Sequence, residues 1–80
     1  MIPLYGFLQG DTIGLLVLAD PEERVSALGE RLASAARLRA AIDGPVAIVF
    51  RGQELDPAQT VAEAGFAPLQ RFDVRRRRTP

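Results

Sequence analysis

Two apolar runs separated by a short polar stretch open the chain. IPLYGFL covers residues 2–8, a polar stretch with Gly10 and Asp11 follows, and the apolar run resumes in TIGLLVLAD. β-Branched and aromatic residues on both sides of a Gly–Asp turn are typical of a hairpin. The pattern therefore predicts two antiparallel strands at the start of the chain.

The next segment, DPEERVSALGERLASAARLRAAIDGP, changes to a helical pattern. Asp20 is suited to cap a helix and Pro21 to occupy its first position, and Glu23 completes a capping box with Asp20. We therefore expect a helix to begin at Pro21.

An apolar stripe runs along this helix. Val25, Leu28 and Leu32 recur at spacings of three and four, while arginine and glutamate side chains cover most of the rest. This spacing places the apolar side chains on one helix face, which is then available to pack on the hairpin. Gly44 and Pro45 predict the end of the region.

Strand and turn signals alternate in the last part of the chain. VAIVF at residues 46–50 predicts a third strand, and residues 53–57 a polar turn. A short helix is expected over residues 60–64, ended by Gly65, and a last strand over residues 69–75.

The resulting order is β-β-α-β-(short α)-β, an α+β arrangement. It is typical of the β-grasp or ubiquitin-like fold, in which a mixed sheet packs on one main helix, although it also fits other α+β folds. A crossover between parallel strands is expected to be right-handed. We predict a single domain over residues 1–75 and a basic tail over residues 76–80.

The composition excludes most catalytic chemistry. The chain has no Cys and no His, and its ten basic residues are all Arg, so thiolate, imidazole and Schiff-base chemistry are absent. The acidic residues are spread through turns and a helix. We therefore predict no catalytic residue, no cofactor-binding residue and no metal ligand in this chain.

The same composition bears on location. The apolar run at residues 13–19 is too short to span a bilayer, and the amino-terminal residues lack the basic region of a signal peptide. We expect a cytoplasmic protein that does not contact a membrane.

Charge is distributed unevenly although the formal net charge is zero. Residues 1–70 carry five Arg against nine acidic residues, and residues 71–80 carry five Arg against Asp73. A run of four arginines suggests phosphate binding, but the acidic body and the lack of interleaved aromatic residues argue against nucleic acid. The run from Arg75 to Arg78 is interpreted as a solvated end.

Two stretches resemble ubiquitin-like proteins. FRGQELDPAQTVAEAGF resembles their segment from the third strand through a tight turn and a short helix, and LQGDTIGLLV resembles their first hairpin. The resemblance implies the ubiquitin-like fold and this core: Ile13, Leu15, Val17, Val25, Leu28, Leu32, Ile48, Phe50, Leu55, Val61, Phe66, Phe72 and Val74.

Departures from ubiquitin itself argue against a modifier. The printed sequence ends in RRRRTP rather than in the diglycine that conjugated modifiers use. The ubiquitin-like recognition patch would fall at Leu8, Val49 and Arg75, where the arginine interrupts an apolar surface. The resemblance therefore gives no reason to expect conjugation.

A narrower resemblance is carried by GFLQGDTIGLLVLAD and TVAEAGFAPLQRFDV. Both are similar to the small B (gamma) subunit of multicomponent diiron monooxygenases of the toluene 4-monooxygenase type. That resemblance implies a chain without cofactor that packs against larger hydroxylase subunits, which carry the diiron centre. Family members often end on acidic residues where this chain has four arginines.

Two alternatives stay open from the sequence. The chain is also consistent with a free-standing, unconjugated ubiquitin-like adaptor, such as those associated with bacterial secretion. The second alternative is a nucleic-acid-binding accessory protein.

The second strand suggests where a partner binds. If Ile13, Leu15 and Val17 face the helix, then Leu16 and Leu18 point to the opposite face, because side chains alternate along a strand.

The first strand repeats this pattern, with Ile2 and Leu4 on one face and Tyr5 and Phe7 on the other. Only one face of a ubiquitin-like sheet is covered by its own helix, so one apolar set is left for water or a partner. The candidate partner-binding residues are Tyr5, Phe7, Leu16, Leu18 and Val49.

Overall fold

The computed structural model describes residues 1–11, 13–36 and 45–77 of the chain. In chain order, the elements in these ranges are β1 (Ile2–Leu8), β2 (Leu15–Ala19), α1 (Val25–Ala35), β3 (Val46–Phe50), β4 (Gln53–Glu54), α2 (Val61–Ala64) and β5 (Arg71–Arg76). The strands form one mixed sheet in the order β2-β1-β5-β3-β4, and α1 packs on one of its faces. The predicted β-grasp architecture is confirmed.

The predicted antiparallel hairpin and mixed sheet are confirmed by the pairing of the strands. β1 pairs antiparallel with β2 and parallel with β5, and β5 pairs antiparallel with β3. β1 therefore lies between two neighbours, and its inward side chains are covered by α1 and by both flanking strands.

The chain adds one strand that the sequence pattern did not predict. Residues 53–57 were expected to be a polar turn, but Gln53 and Glu54 form β4 against Phe50 and Val49. The turn before them has two consecutive positive φ angles, 55° and 79°, at residues 51 and 52. Two such residues give a tight hairpin turn, which folds the chain back on the end of β3.

The predicted helix start is wrong. Only half of the predicted capping box forms, with Asp20 N–H donating to Glu23 Oε1 at 3.3 Å. Asp20 Oδ1 accepts instead from Glu22 N–H, and Glu23 N–H donates to Asp20 O, so these bonds close a turn. Arg24 stays extended because it forms an antiparallel β-bridge with Thr60. α1 begins one residue later, and its first N–H donates to Gln59 O at 2.9 Å. The predicted end of the helix region, Gly44 with Pro45, falls largely outside the described residues.

The short second helix follows its local signals. Thr60 Oγ1 accepts from Glu63 N–H at 3.1 Å, and Glu63 Oε1 accepts from Thr60 N–H at 2.8 Å. Gly65 has a left-handed backbone, with φ 82°, and ends the helix. The prediction of a short helix ended by Gly65 is confirmed.

The core lies between α1 and the sheet. Most predicted core residues are buried, and Leu15, Val17 and Leu55 are partly buried against them. Aromatic contacts continue the core toward α2, because the Phe66 ring lies 4.3 Å from that of Phe50 and 5.9 Å from that of Phe72, between centroids.

The observed core differs from the predicted one: it includes the buried residues Leu4, Leu8, Ala19 and Ala36, which were not predicted, and it excludes Ile13. Ile13 is exposed, because β2 begins only at Leu15 and Ile13 lies in the preceding loop. Leu4 and Leu8 were not assigned to the core, but both are buried, because they point inward from the middle strand β1. The assignment of Leu8 to a surface recognition patch is therefore wrong.

The last strand continues past the predicted domain boundary. Arg75 pairs with Ala47 and Arg76 with Val46, and the N–H of residue 77 donates to the carbonyl of residue 45 at 2.9 Å. The ordered domain therefore includes residues 76 and 77, which were predicted to belong to the tail.

Candidate protein interface

The sheet face opposite α1 carries exposed apolar side chains at the hairpin. Leu16 and Leu18 are 60% and 53% exposed, and Tyr5 is 42% exposed. Leu16 lies beside Tyr5 in the β1–β2 register, and Leu18 lies beside Pro3. The predicted assignment of strand faces agrees with this burial pattern, because Leu4 and Ala19 on the inner face are fully buried.

Phe7 belongs to the same face but is half-buried by its neighbours. The Arg71 guanidinium carbon lies 4.0 Å from the centre of the Phe7 ring. On another side, a Cβ built on Gly14 would come within 2.5 Å of the ring, so the aromatic side chain packs directly on that glycine. Phe7 therefore supports Arg71 and adds less accessible surface than Tyr5.

Val49 contributes little accessible area. It is 9% exposed, and it lies between Asp73 of β5 and Glu54 of β4 in the sheet register. The candidate residues thus divide into three exposed side chains at the hairpin, a half-buried phenylalanine, and a nearly covered valine.

Sequence reasoning missed Leu69, which extends the exposed apolar area. Leu69 is 58% exposed and has a left-handed backbone with φ 65°. Its N–H donates to Pro3 O at 2.6 Å, so it lies beside Pro3, which in turn pairs with Leu18. A left-handed leucine is uncommon, and no local sequence signal predicts it. We call Pro3, Tyr5, Leu16, Leu18 and Leu69 the outer apolar surface.

The free edge of β2 is partly closed by the helix. Arg31 Nη2 donates to Leu18 O at 2.9 Å, and Arg31 also makes a two-point ion pair with Glu23, with N–O distances of 2.8 and 2.9 Å. Pro3 and Leu18 form a non-hydrogen-bonded pair, because Pro3 O accepts from Leu69 N–H on the other side of β1, so the Leu18 carbonyl points to the free edge. Because Arg31 occupies this carbonyl, a partner is better accommodated on the outer face than as an additional strand.

An open depression lies at the turn end of this face. Its rim carries two arginines and two aspartates: Arg71, Arg75, Asp11 and Asp73. In the described ranges, no group of three or more His, Cys, Asp or Glu side chains is placed to hold a metal ion. None of the described helices is long and apolar enough to cross a membrane.

The fold and this face together define a small ubiquitin-like domain whose main surface feature is an exposed apolar sheet face. Residues 1–75 match the family model described as toluene-4-monooxygenase system protein B (TmoB). The chain belongs to this family of monooxygenase system proteins.

Solved structures show the same fold. A chain of the structure described as toluene 4 monooxygenase HD complex with inhibitor 4-bromobenzoate is similar with a TM-score of 0.85 at 21% identity, covering 95% of this chain and 98% of that one. Caldiarchaeum subterraneum ubiquitin has a TM-score of 0.75 at 16% identity, with coverage of 98% and 95%.

The ubiquitin-like domain of Plasmodium falciparum Dsk2 has a TM-score of 0.73 at 20% identity, covering 95% of this chain and 97% of that one. No curated protein sequence matches the chain significantly.

Proposed function

We propose that this chain is the small, non-catalytic subunit of a bacterial multicomponent diiron monooxygenase, and that it acts by packing against the larger hydroxylase subunits. Its family and its structural similarity to a chain of a toluene 4-monooxygenase complex support this role. The observation that carries the proposal is the exposure of Leu16 and Leu18 on the sheet face that α1 leaves uncovered.

The size of the outer apolar surface indicates how it contributes. Full burial of a large apolar side chain contributes about 1.5–3 kcal/mol. Tyr5, Leu16, Leu18 and Leu69 are each about half exposed, so covering them supplies roughly 3–6 kcal/mol in total. Association costs about 4–15 kcal/mol, so the apolar surface anchors the contact and polar interactions must complete it.

We assign the oxidation reaction of the complex to the larger subunits rather than to this chain. The chain has neither His nor Cys, and its described carboxylates do not cluster. A diiron centre for oxidation of an aromatic or alkane substrate therefore belongs in a larger subunit, and this chain supplies protein contacts.

Co-expression with the larger hydroxylase chains tests the proposal. We expect a stoichiometric complex in size-exclusion chromatography, with iron present in the complex and absent from this chain purified alone. Stoichiometric metal that the isolated chain retains after chelation, or failure of the chain to join any larger subunit, would contradict the proposal.

A further inference from the structure

We propose that Arg71 is the polar anchor of the interface and donates hydrogen bonds to an uncharged carbonyl oxygen of the larger hydroxylase subunit. This inference rests on the proposed function, because that function names the partner. Arg71 lies outside the outer apolar surface, and the partner presents a hydrogen-bond acceptor opposite it.

The sheet register places Arg71 next to the outer apolar surface. Tyr5 lies between Leu16 of β2 and Arg71 of β5, so the three side chains form one row across the sheet. A partner that covers Leu16 and Tyr5 therefore reaches Arg71 next.

The Arg71 side chain is held on two sides while remaining 63% exposed. Its Nε and Nη2 donate to Asp73 Oδ1 at 3.2 and 3.0 Å, and its guanidinium lies over the Phe7 ring. The Phe7 ring is itself packed against Gly14. The guanidinium is thus oriented before any partner arrives.

This orientation matters more for binding than for folding. An exposed ion pair contributes little to stability, because solvent screens it and two side chains lose conformational entropy. A side chain that is already ordered loses less entropy when it binds, and arginine is common among the residues that dominate interface affinity. Nη1 of Arg71 has no acceptor within the described residues, so it is available to a partner.

The local charge favours a neutral acceptor. Asp73 accepts two hydrogen bonds from the Arg71 guanidinium and balances its charge. Burying a paired arginine and aspartate costs less than burying a lone charge, whereas a further carboxylate would leave an unbalanced negative charge. A main-chain or amide carbonyl satisfies the free N–H groups without adding charge.

The test measures the Kd between the assembled larger subunits and variants of this chain. Arg71→Ala should raise the Kd by about tenfold or more, as expected for a dominant interface residue. Arg51→Ala is the matched control, because Arg51 also lies over a phenylalanine, Phe50, but in the β3–β4 turn at the far edge of the sheet. Its Kd should stay within about twofold of that of the wild type.

Asp73→Asn distinguishes a carbonyl from a carboxylate on the partner. With a carbonyl, the variant leaves the Arg71 charge unbalanced on burial, so binding weakens. Tighter or unchanged binding would overturn the assignment of a neutral acceptor. Thermal melting of each isolated variant checks that it remains folded.

The binding measurements distinguish failure of the inference about Arg71 from failure of the proposed function. If wild type binds the larger subunits and Arg71→Ala binds equally well, the inference about Arg71 is overturned while the proposed function stands. If wild type binds none of the larger subunits, the proposed function itself fails.

Discussion

Gly6 sets the distance between α1 and the sheet. A Cβ at this position would lie 2.7 Å from both Leu32 Cδ2 and Phe72 Cζ. Those atoms end flexible side chains, but both side chains are buried in the core and have little room to move. Gly29 on α1 differs, because its added Cβ would meet the nearest atom, on Val46, only at 3.3 Å.

We expect Gly6→Ala to lower the free energy of unfolding by about 1–3 kcal/mol, because it overpacks the core. Gly29→Ala is the control, and its gain in helix propensity of about 1 kcal/mol should offset its tighter contact. Urea denaturation measures both. Equal stability of Gly6→Ala and wild type would show that α1 does not approach β1 this closely.

Two capping signals of the same kind have different outcomes in this chain. Asp20 with Glu23 and Thr60 with Glu63 both have the spacing of a capping box. Only the second begins a helix, because the bridge between Arg24 and Thr60 has a different effect on each. It holds Arg24, which would have to be helical after the first box, in an extended conformation, whereas Thr60 is an N-cap and is extended in any case.

The sequence of this chain predicts the features that depend on neighbouring residues alone. The relative order of the predicted elements, β3, α2 and the alternation of Leu15 to Leu18 follow from local patterns and were confirmed. The start of α1, the strand β4 and the left-handed Leu69 depend on contacts between distant segments, such as the hydrogen bond from Leu69 N–H to Pro3 O. For the candidate interface, the strand pattern identified Leu16 and Leu18, but Leu69 and Arg71 became apparent only from the register.

The end of β5 gives a prediction at the scale of the element. A chain shortened to Val74 loses the pairing of Arg75 and Arg76 with β3 and the bond from Arg76 N–H to Gln9 Oε1, which is 2.9 Å long. Each lost hydrogen bond costs about 0.5–1.5 kcal/mol. The chain ending at Val74 should therefore be less stable by roughly 1–4 kcal/mol than a chain ending at Arg77. Identical urea midpoints would show that these residues do not stabilise the sheet.

At the scale of the whole molecule, the two sheet faces have separate roles. The inner face and α1 form the core, and in the described residues no polar or charged side chain is buried there. The outer face combines the outer apolar surface with the oriented arginine of β5. Folding and assembly thus depend on alternate residues of the same strands, so substitutions can separate them.

Leu16→Asp and Leu18→Asp should each prevent co-purification with the larger subunits, because each places an unpaired charge in a desolvated contact, at a cost of several kcal/mol. In the isolated chain both should change the melting temperature little, since both side chains face water. Ala27→Asp, which adds the same charge on the exposed side of α1, should bind normally.

Leu4→Asp should unfold the domain, because Leu4 is fully buried in the neighbouring strand. If Leu16→Asp or Leu18→Asp unfolded the isolated chain, the outer face would have to be part of the core. If both were folded and bound the larger subunits normally, the hydroxylase would dock elsewhere on the molecule.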